Sequence, residues 1–446
     1  MKKNFLFKLK VGAFAVVTAA CSTLGLMGGE TVKAATNGIN IYLAGDSTVC
    51  DWDTIKGVGY YEPQAGWGQM LSTFFDDTVT VVNGAISGYS SKTFYLGCAS
   101  KADYVRHLDD LLKNASAGDY LLVQFGHNDS TQPTEEQLTT RPDIAERYVT
   151  PEEFKLYLER YIVDAQAKGV TPILVTPCGR YSIGADGKFK SNFTAYVNAM
   201  KELAADKNVY LIDLDAKSRE YYDSLGEEGA KSVFLFVDKG AYPDSYYAEG
   251  VEDKTHFQKF GATQLARLIA EGMQELGLTD LTERMTSNVA RPESAPGVPQ
   301  NMKVITDKGR MFTFTWDPVE GADLYTIYRV VTMANGAEIK SVVRQISEPK
   351  CVFTELEVGK EYTYYVVSKN MVGESEASER VVRTGASNNS GNKERNDLVS
   401  SETDAKEPPY LLIGIIAAAV VVVVVIAIFV SKSMKKRAKR KEDYYA

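Results

Sequence analysis

A serine hydroxyl is inert towards an ester until a base takes its proton and N–H donors receive the charge that develops on the carbonyl oxygen. Four separated stretches of this chain carry residues of those types. Ile39-Asn40-Ile41-Tyr42-Leu43-Ala44 is an apolar, β-prone run that stops on Gly45-Asp46-Ser47, which leaves the Ser47 hydroxyl just past the carboxyl end of a strand. A second run, Val79 to Val82, ends on Asn83-Gly84-Ala85-Ile86-Ser87-Gly88, and a third, Tyr120 to Phe125, on Gly126-His127-Asn128-Asp129. Far downstream lies Asp253-Lys254-Thr255-His256, ahead of a helical pattern. An aspartate three residues before a histidine is close enough, in a tight turn, to hold the imidazole Nδ1–H and fix its tautomer. The expected roles are therefore Ser47 as nucleophile, His256 as general base and then general acid, and Asp253 as the partner of His256.

Other chemistries fit less well. The chain has three histidines, His107, His127 and His256, and no H-E-x-x-H pairing, so neither a metal nor a cofactor is expected. His127 is the rival base. It adjoins Asn128 on a strand-to-loop run, where neighbouring side chains point in opposite directions. With Asn128 turned to the substrate, His127 turns away and reads as structural. His107 sits in the helical run Tyr104 to Leu108, on the surface or in the core.

Further blocks accompany these: Gly66-Trp67-Gly68-Gln69, Thr176-Pro177 with Arg180 a few residues on, the acidic turn Asp186-Gly187-Lys188, and Thr255-His256-Phe257 with Gly261-Ala262. Together, from about Thr36 to Gly277, they resemble the SGNH (GDSL-type) hydrolase superfamily, and within it the rhamnogalacturonan acetylesterase-like carbohydrate esterases. The resemblance implies a three-layer α/β/α, flavodoxin-like domain with a five-stranded parallel sheet, acting on an acetylated polysaccharide or oligosaccharide. It also implies an oxyanion hole built from the Ser47 N–H, the Gly88 N–H and the Asn128 side-chain amide, with Gly84 a second glycine nearby. Trp67 and Arg180 are the candidate substrate contacts. Trp67 either packs under the site or presents an edge to sugar. Arg180 either pairs a uronate carboxylate through its planar fork or is a solvated loop arginine.

These groups need a scaffold. Strand-like runs at Ile39–Ala44, Val79–Val82, Tyr120–Phe125, Pro172–Thr176 and Val209–Asp213 alternate with amphipathic segments. The clearest of those starts at Thr150-Pro151-Glu152-Glu153, a cap followed by proline at the first helical position and acidic residues on the positive helix end. It continues through Phe154, Leu158, Tyr161, Ile162 and Ala165 to Gly169. Such alternation predicts a parallel sheet covered on both faces. The Tyr- and Gly-rich loop from Phe234 to Asp253 enters the catalytic turn and is expected to wall the cleft.

With 446 residues the chain exceeds one ordinary domain. Residues 1–35 read as a signal peptide, with an early lysine cluster, an apolar stretch and a small-residue cleavage site. The esterase-like domain spans 36–286 and a proline-containing linker 287–297. From 298 to 384, short alternating strands resemble a fibronectin type III β-sandwich, on Trp316, Leu356-x5-Tyr362 and Asn370-x2-Gly373-x-Ser375, with Tyr362 as its corner tyrosine. This domain is expected to be a spacer or a weak carbohydrate or protein contact. A polar spacer, 385–409, precedes an uncharged apolar segment at 410–430, long enough for one transmembrane helix. The basic tail at 431–446 places the C-terminus in the cytoplasm and the catalytic domain outside the cell membrane. The formal charge of −8 excludes a nucleic-acid partner, which requires a basic face. Four cysteines outside the leader (Cys50, Cys98, Cys178, Cys351) show no C-x-x-C spacing, so no disulfide framework is implied, and a single Cys50–Cys98 bridge stays open. The alternatives to a carbohydrate esterase are a lipase or thioesterase on the same fold, and a surface binding protein with an inactive hydrolase domain.

Overall fold

The computed structural model describes residues 38–384 apart from 309–310, 334 and 355. The signal segment, polar spacer, apolar segment at 410–430 and basic tail lie outside the described residues. Among the described residues no helix is long and apolar enough to cross a membrane.

Five strands form the main sheet: β1 (Ile39–Gly45), β2 (Val79–Asn83), β3 (Tyr120–Gln124), β4 (Thr171–Val175) and β5 (Tyr210–Ile212). All pair in parallel, in the order β2-β1-β3-β4-β5. This is the flavodoxin-like order, with its switch point at the carboxyl ends of β1 and β3. Alternation along each strand divides the side chains between two cores. Ile39, Ile41 and Leu43 pack with Trp67, Phe74, Phe257 and Leu265. Tyr42 and Ala44 pack on the other face with Phe94, Phe154, Tyr161 and Met200. Each fully buried large apolar side chain stabilises by about 1.5–3 kcal/mol, so a one-residue slip of register would empty both cores at once.

Helices α1 (Pro151–Ala167) and α2 (Thr194–Lys207) cover the second core; α3 (Leu214–Ala230) and α4 (Lys259–Glu275) cover the first. The start of α1 is the expected capping box. The Glu153 N–H donates to Thr150 Oγ1 at 3.2 Å, and the Thr150 N–H to Glu153 Oε2 at 2.9 Å.

The segment expected as a loop from Phe234 to Asp253 begins and ends in strands of a second sheet. Here β6 (Phe234–Val237) and β7 (Val251–Gln258) pair antiparallel, and the short strand Gln64–Ala65 adds to the far edge of β7. The sequence of β7 carries no strand signal because Glu252, Asp253, Lys254 and Thr255 interrupt any apolar alternation.

Residues 298–384 form two antiparallel sheets. β8 (Lys303–Lys308), β9 (Met311–Thr315) and β12 (Lys350–Phe353) make one; β10 (Leu324–Thr332), β11 (Glu338–Ile346), β13 (Glu361–Lys369) and β14 (Val381–Thr384) make the other. Phe312, Phe314, Trp316, Ile327 and Tyr364 fill the core between them. The Tyr362 hydroxyl accepts the Glu357 N–H at 3.1 Å, the expected corner.

This sandwich packs directly against the α/β domain through buried apolar and charged groups. Leu324 is buried in the first core of the α/β domain. Arg267 of α4 and Asp323 form an ion pair whose side chains are 3% and 5% exposed. Glu62 Oε2 holds Lys259 Nζ at 2.8 Å, and together the two grip the backbone of Gln345 on β11. The Gln345 N–H donates to Glu62 Oε1 at 2.7 Å, and Lys259 Nζ donates to the Gln345 carbonyl at 3.1 Å. The linker is pinned on both sides: Arg267 donates to the Asn288 carbonyl, and the Asn370 amide to that of Ser294. Cys50 and Cys98 are both free and buried, so they are not bridged.

Candidate active site

β1 delivers Ser47 through a turn that its neighbours build. A Cβ at Gly45 would come within 2.5 Å of Val49 Cγ2, so only glycine lets the chain double back here. Asp46, fully buried, accepts the Thr48 N–H at 2.9 Å and the Thr48 hydroxyl at 2.8 Å through Oδ1, which closes an Asx-type turn. Ser47 emerges 7% exposed, its hydroxyl 2.9 Å from His256 Nε2.

His256 reaches that hydroxyl because β7 bulges. Phe257 pairs with Phe234, but the next partner, Leu235, pairs with Asp253, so residues 254–256 have no partners on β6. An outward loop of this kind re-aims side chains beside a site. It brings Asp253 Oδ2 to 2.7 Å from His256 Nδ1, while Asp253 Oδ1 accepts the N–H groups of Thr255 (2.7 Å) and His256 (3.0 Å). Burial opposes the charge on Asp253. The His256 ring and the two backbone donors outweigh it and hold the carboxyl well below the usual carboxylate range. An ionised Asp253 accepts from Nδ1–H, which leaves Nε2 as the acceptor facing Ser47.

The loops after β2 and β3 close the other side. The Ile86 N–H donates to the Gly45 carbonyl at 3.0 Å, which draws the Gly88 loop against the end of β1. Gly88 has φ +79°, a conformation that favours glycine. Among the described residues, neither the Ser47 N–H nor the Gly88 N–H is satisfied by another backbone carbonyl. The Asn128 amide donates one hydrogen to the Tyr89 carbonyl at 2.9 Å, and an NH2 group carries a second. Asp129 accepts the N–H groups of Ser91 and Gly126, each at 3.0 Å, and so ties the two loops together.

His127, 3% exposed, packs 4.6 Å from the Phe193 ring, with Nδ1 3.6 Å from Asp46 Oδ2, an ionic proximity longer than a hydrogen bond. Burial pushes its pKa down, against the pull of Asp46. This is the structural placement expected for it. His107 opens a short helix, His107–Leu111, and its Nε2 lies 2.7 Å from Asp103 Oδ2.

Trp67 requires a correction. It is 1% exposed and donates its indole N–H to Gln124 Oε1 at 2.6 Å inside the first core, so it has no edge to offer a sugar. Arg180 is half-buried over the Phe193 ring (5.1 Å), with Nη2 3.4 Å from the His127 carbonyl.

Trp52 is a site residue that sequence reasoning missed. Its indole N–H donates to the Ser47 carbonyl at 3.1 Å and its ring stands edge-on to His256 at 5.7 Å. No spacing in the sequence marks it. From Trp52 an aromatic run continues through Tyr61 (5.1 Å) to Tyr246 (5.4 Å), so the 234–253 segment does contribute to the wall beside His256. Among the described residues there is no cluster of three or more metal-ligating side chains.

Residues 43–261 match the GDSL-like lipase/acylhydrolase family, and residues 297–384 the fibronectin type III domain. The chain is 39% identical over 244 residues to the probable rhamnogalacturonan acetylesterase YesY of Bacillus subtilis, an alignment that covers 55% of this chain and 96% of the relative. It is 35% identical over 240 residues to the rhamnogalacturonan acetylesterase RhgT of the same organism, covering 54% of this chain and 91% of RhgT. The crystal structure of YxiM from Bacillus subtilis, 31% identical, aligns over 54% of this chain and 57% of that one with a TM-score of 0.41. This chain belongs to the GDSL-like lipase/acylhydrolase family and is a serine ester hydrolase with a C-terminal fibronectin type III domain.

Proposed function

We propose that this protein is an extracellular, membrane-anchored serine carbohydrate esterase that hydrolyses O-acetyl esters on pectic, rhamnogalacturonan-type or related polysaccharides. The observation that carries the reading is the unbroken proton path from the Ser47 hydroxyl to His256 Nε2 (2.9 Å) and from Nδ1 to Asp253 (2.7 Å). Ser47 Oγ attacks the acetyl carbonyl as His256 takes its proton, and the Asp253 carboxylate stabilises the imidazolium. The Ser47 and Gly88 N–H groups and the second Asn128 amide hydrogen receive the oxyanion; losing one such donor typically costs about 3–4 kcal/mol of transition-state stabilisation. His256 then protonates the departing sugar oxygen, leaving an acetyl-enzyme that water hydrolyses by the reverse roles.

The substrate class rests on two relatives, YesY, named a probable rhamnogalacturonan acetylesterase, and RhgT, named a rhamnogalacturonan acetylesterase. The cell-surface placement rests on the signal pattern at 1–35, the uncharged segment at 410–430 and the basic tail behind it. Acetate release from acetylated pectin, xylan and mannan, with fluorophosphonate labelling, tests the chemistry. Ser47→Ala is expected to abolish both while the thermal unfolding transition stays in place; turnover retained by that variant would refute the mechanism. A rate that climbs from p-nitrophenyl acetate to the octanoate would favour the lipase reading instead. Protease added to intact cells should remove the catalytic domain and spare the tail, and a fully protected catalytic domain would refute the placement.

A further inference from the structure

A cavity of about 550 Å³ lies where the α/β domain meets the sandwich, and both domains line it. Tyr60, Asp244 and Ser245 contribute from the first; Arg329 of β10, Arg344 of β11 and Thr354 contribute from the second. Its rim is fixed across the boundary. Arg329 Nη1 lies 2.9 Å from Asp244 Oδ2, and the Val342 N–H donates to the Ala241 carbonyl at 2.9 Å. A Cβ on Gly59 would collide with the Arg344 guanidinium, so the loop before Tyr60 also fits closely against β11. Close packing is the rule inside proteins. A cavity of this size kept open at a domain boundary is the usual form of a ligand site.

One wall of the cavity continues to the catalytic residues. Tyr60 meets Tyr61 edge-on at 4.8 Å, Tyr61 meets Trp52 at 5.1 Å, and Trp52 stands edge-on to His256 at 5.7 Å. Tyr246 joins the same run 5.9 Å from Tyr60, and its N–H donates to the Tyr60 carbonyl at 2.8 Å. Exposure rises along the run: Trp52 is 8% exposed, whereas Tyr60 and Tyr246 are 44% and 63% exposed. Two neighbouring tyrosines left in water present apolar faces with hydroxyl edges. Such faces suit the C–H faces and hydroxyls of sugar rings. The charged groups around the cavity balance, Lys56, Arg329 and Arg344 against Glu62, Asp244 and Glu357. They offer donors and acceptors to hydroxyls, and no net charge that would select an anion.

We propose that Tyr60 and Tyr246, with the sandwich edge at Arg344 and Thr354, form a distal sugar subsite that holds an uncharged stretch of the polysaccharide while its acetyl ester lies at Ser47. The inference rests on the polysaccharide esterase reading and deepens it: the fibronectin type III domain takes part in binding the polymer. Turnover of polymers, and not of small esters, then depends on both domains.

The test uses the full-length protein and the ratio of kcat/KM on the acetylated polysaccharide it hydrolyses fastest to kcat/KM on p-nitrophenyl acetate. Tyr60→Ala and Tyr246→Ala are each expected to lower that ratio about tenfold, the scale of one lost aromatic contact. Thr354→Trp, which fills the cavity from an exposed position on the sandwich, should do the same. Tyr210→Ala, which removes an exposed tyrosine at the start of β5, should leave the ratio unchanged. The three positions lie on two domains, so a folding defect in one variant leaves the others to decide. The fall should be equal in dilute buffer and in about 1 M salt, where exposed charges are screened; a fall that vanishes in salt refutes an uncharged stretch as the occupant. A ratio unchanged in the tyrosine variants refutes the subsite, and one unchanged in Thr354→Trp refutes the part given to the sandwich. An equal fall on polymer and on p-nitrophenyl acetate also refutes the subsite, because the tyrosines would then serve His256. If Ser47 still takes fluorophosphonate but no polymer releases acetate, the polysaccharide reading fails and the subsite with it.

Discussion

Lys259→Met tests how the two domains are joined. In the wild type the Lys259 ammonium is 5% exposed, lies 2.8 Å from Glu62 Oε2 and 3.4 Å from Asp53 Oδ2, and donates to the Gln345 carbonyl on β11. Burial opposes its charge, yet Glu62 and Asp53 hold the ammonium above its ordinary pKa. Methionine keeps most of the chain length and removes the charge, which leaves Glu62, itself 2% exposed, with the Gln345 N–H as its hydrogen-bond partner. Removing one member of a buried pair costs about 3–5 kcal/mol. A ceiling follows from proton uptake: an ordinary glutamate is neutralised at a cost of about 4 kcal/mol near pH 7.5 and about 1 kcal/mol near pH 5. The expected penalty is therefore about 4 kcal/mol at the higher pH and about 1 kcal/mol at the lower. Urea unfolding followed by tryptophan fluorescence at both pH values reads it. Glu62→Gln in the same chain, which keeps an acceptor for the Gln345 N–H and removes the charge, should recover most of the loss. A penalty below about 1 kcal/mol at pH 7.5, or an equal one at both pH values, would refute the account of a buried, charge-locked domain boundary.

Asp253→Asn should reduce kcat on p-nitrophenyl acetate by about 10⁴-fold, the scale for losing the carboxylate that sets the imidazole tautomer; a fall of less than about tenfold would remove Asp253 from the relay. Its depressed pKa carries a stability consequence as well. The contribution is fully present above about pH 4, where an unfolded aspartate is ionised, and is lost as the pH falls towards the lower folded value. Thermal unfolding should thus show the wild type losing stability below about pH 4 more steeply than Asp253→Asn, and equal acid slopes would contradict the shift. Trp67→Phe leaves buried Gln124 without its 2.6 Å donor and should cost about 2–4 kcal/mol with KM on the polymer unchanged. A raised KM at unchanged stability would return Trp67 to the substrate.

The local chemistry was legible in the residue order. An apolar run that stops on Gly-Asp-Ser puts a hydroxyl at a strand end, Thr150 and Glu153 spell a capping box, and strands alternating with amphipathic segments demand a covered parallel sheet. Each of these depends on forces that act within a few residues: pleat alternation, orphan N–H groups at a helix start, tight turns. The contact of Asp253 with His256 was legible for a related reason, since the two are three apart and each strand-end block carries its own polar residues.

Tertiary structure decided the rest. Trp67 lies between glycines whether it faces sugar or core, and only the position of Gln124 beneath it settles which. The bulge that aims His256 exists because β7 has β6 to pair with, and a strand this polar has no periodicity of its own to betray it. The grip of Glu62 and Lys259 on Gln345, and the ion pair of Arg329 with Asp244, join segments that share no local signal. Ser47 and His256 themselves stand 209 positions apart, a separation over which propensity carries no information and only the path of the chain through its two cores brings the atoms together.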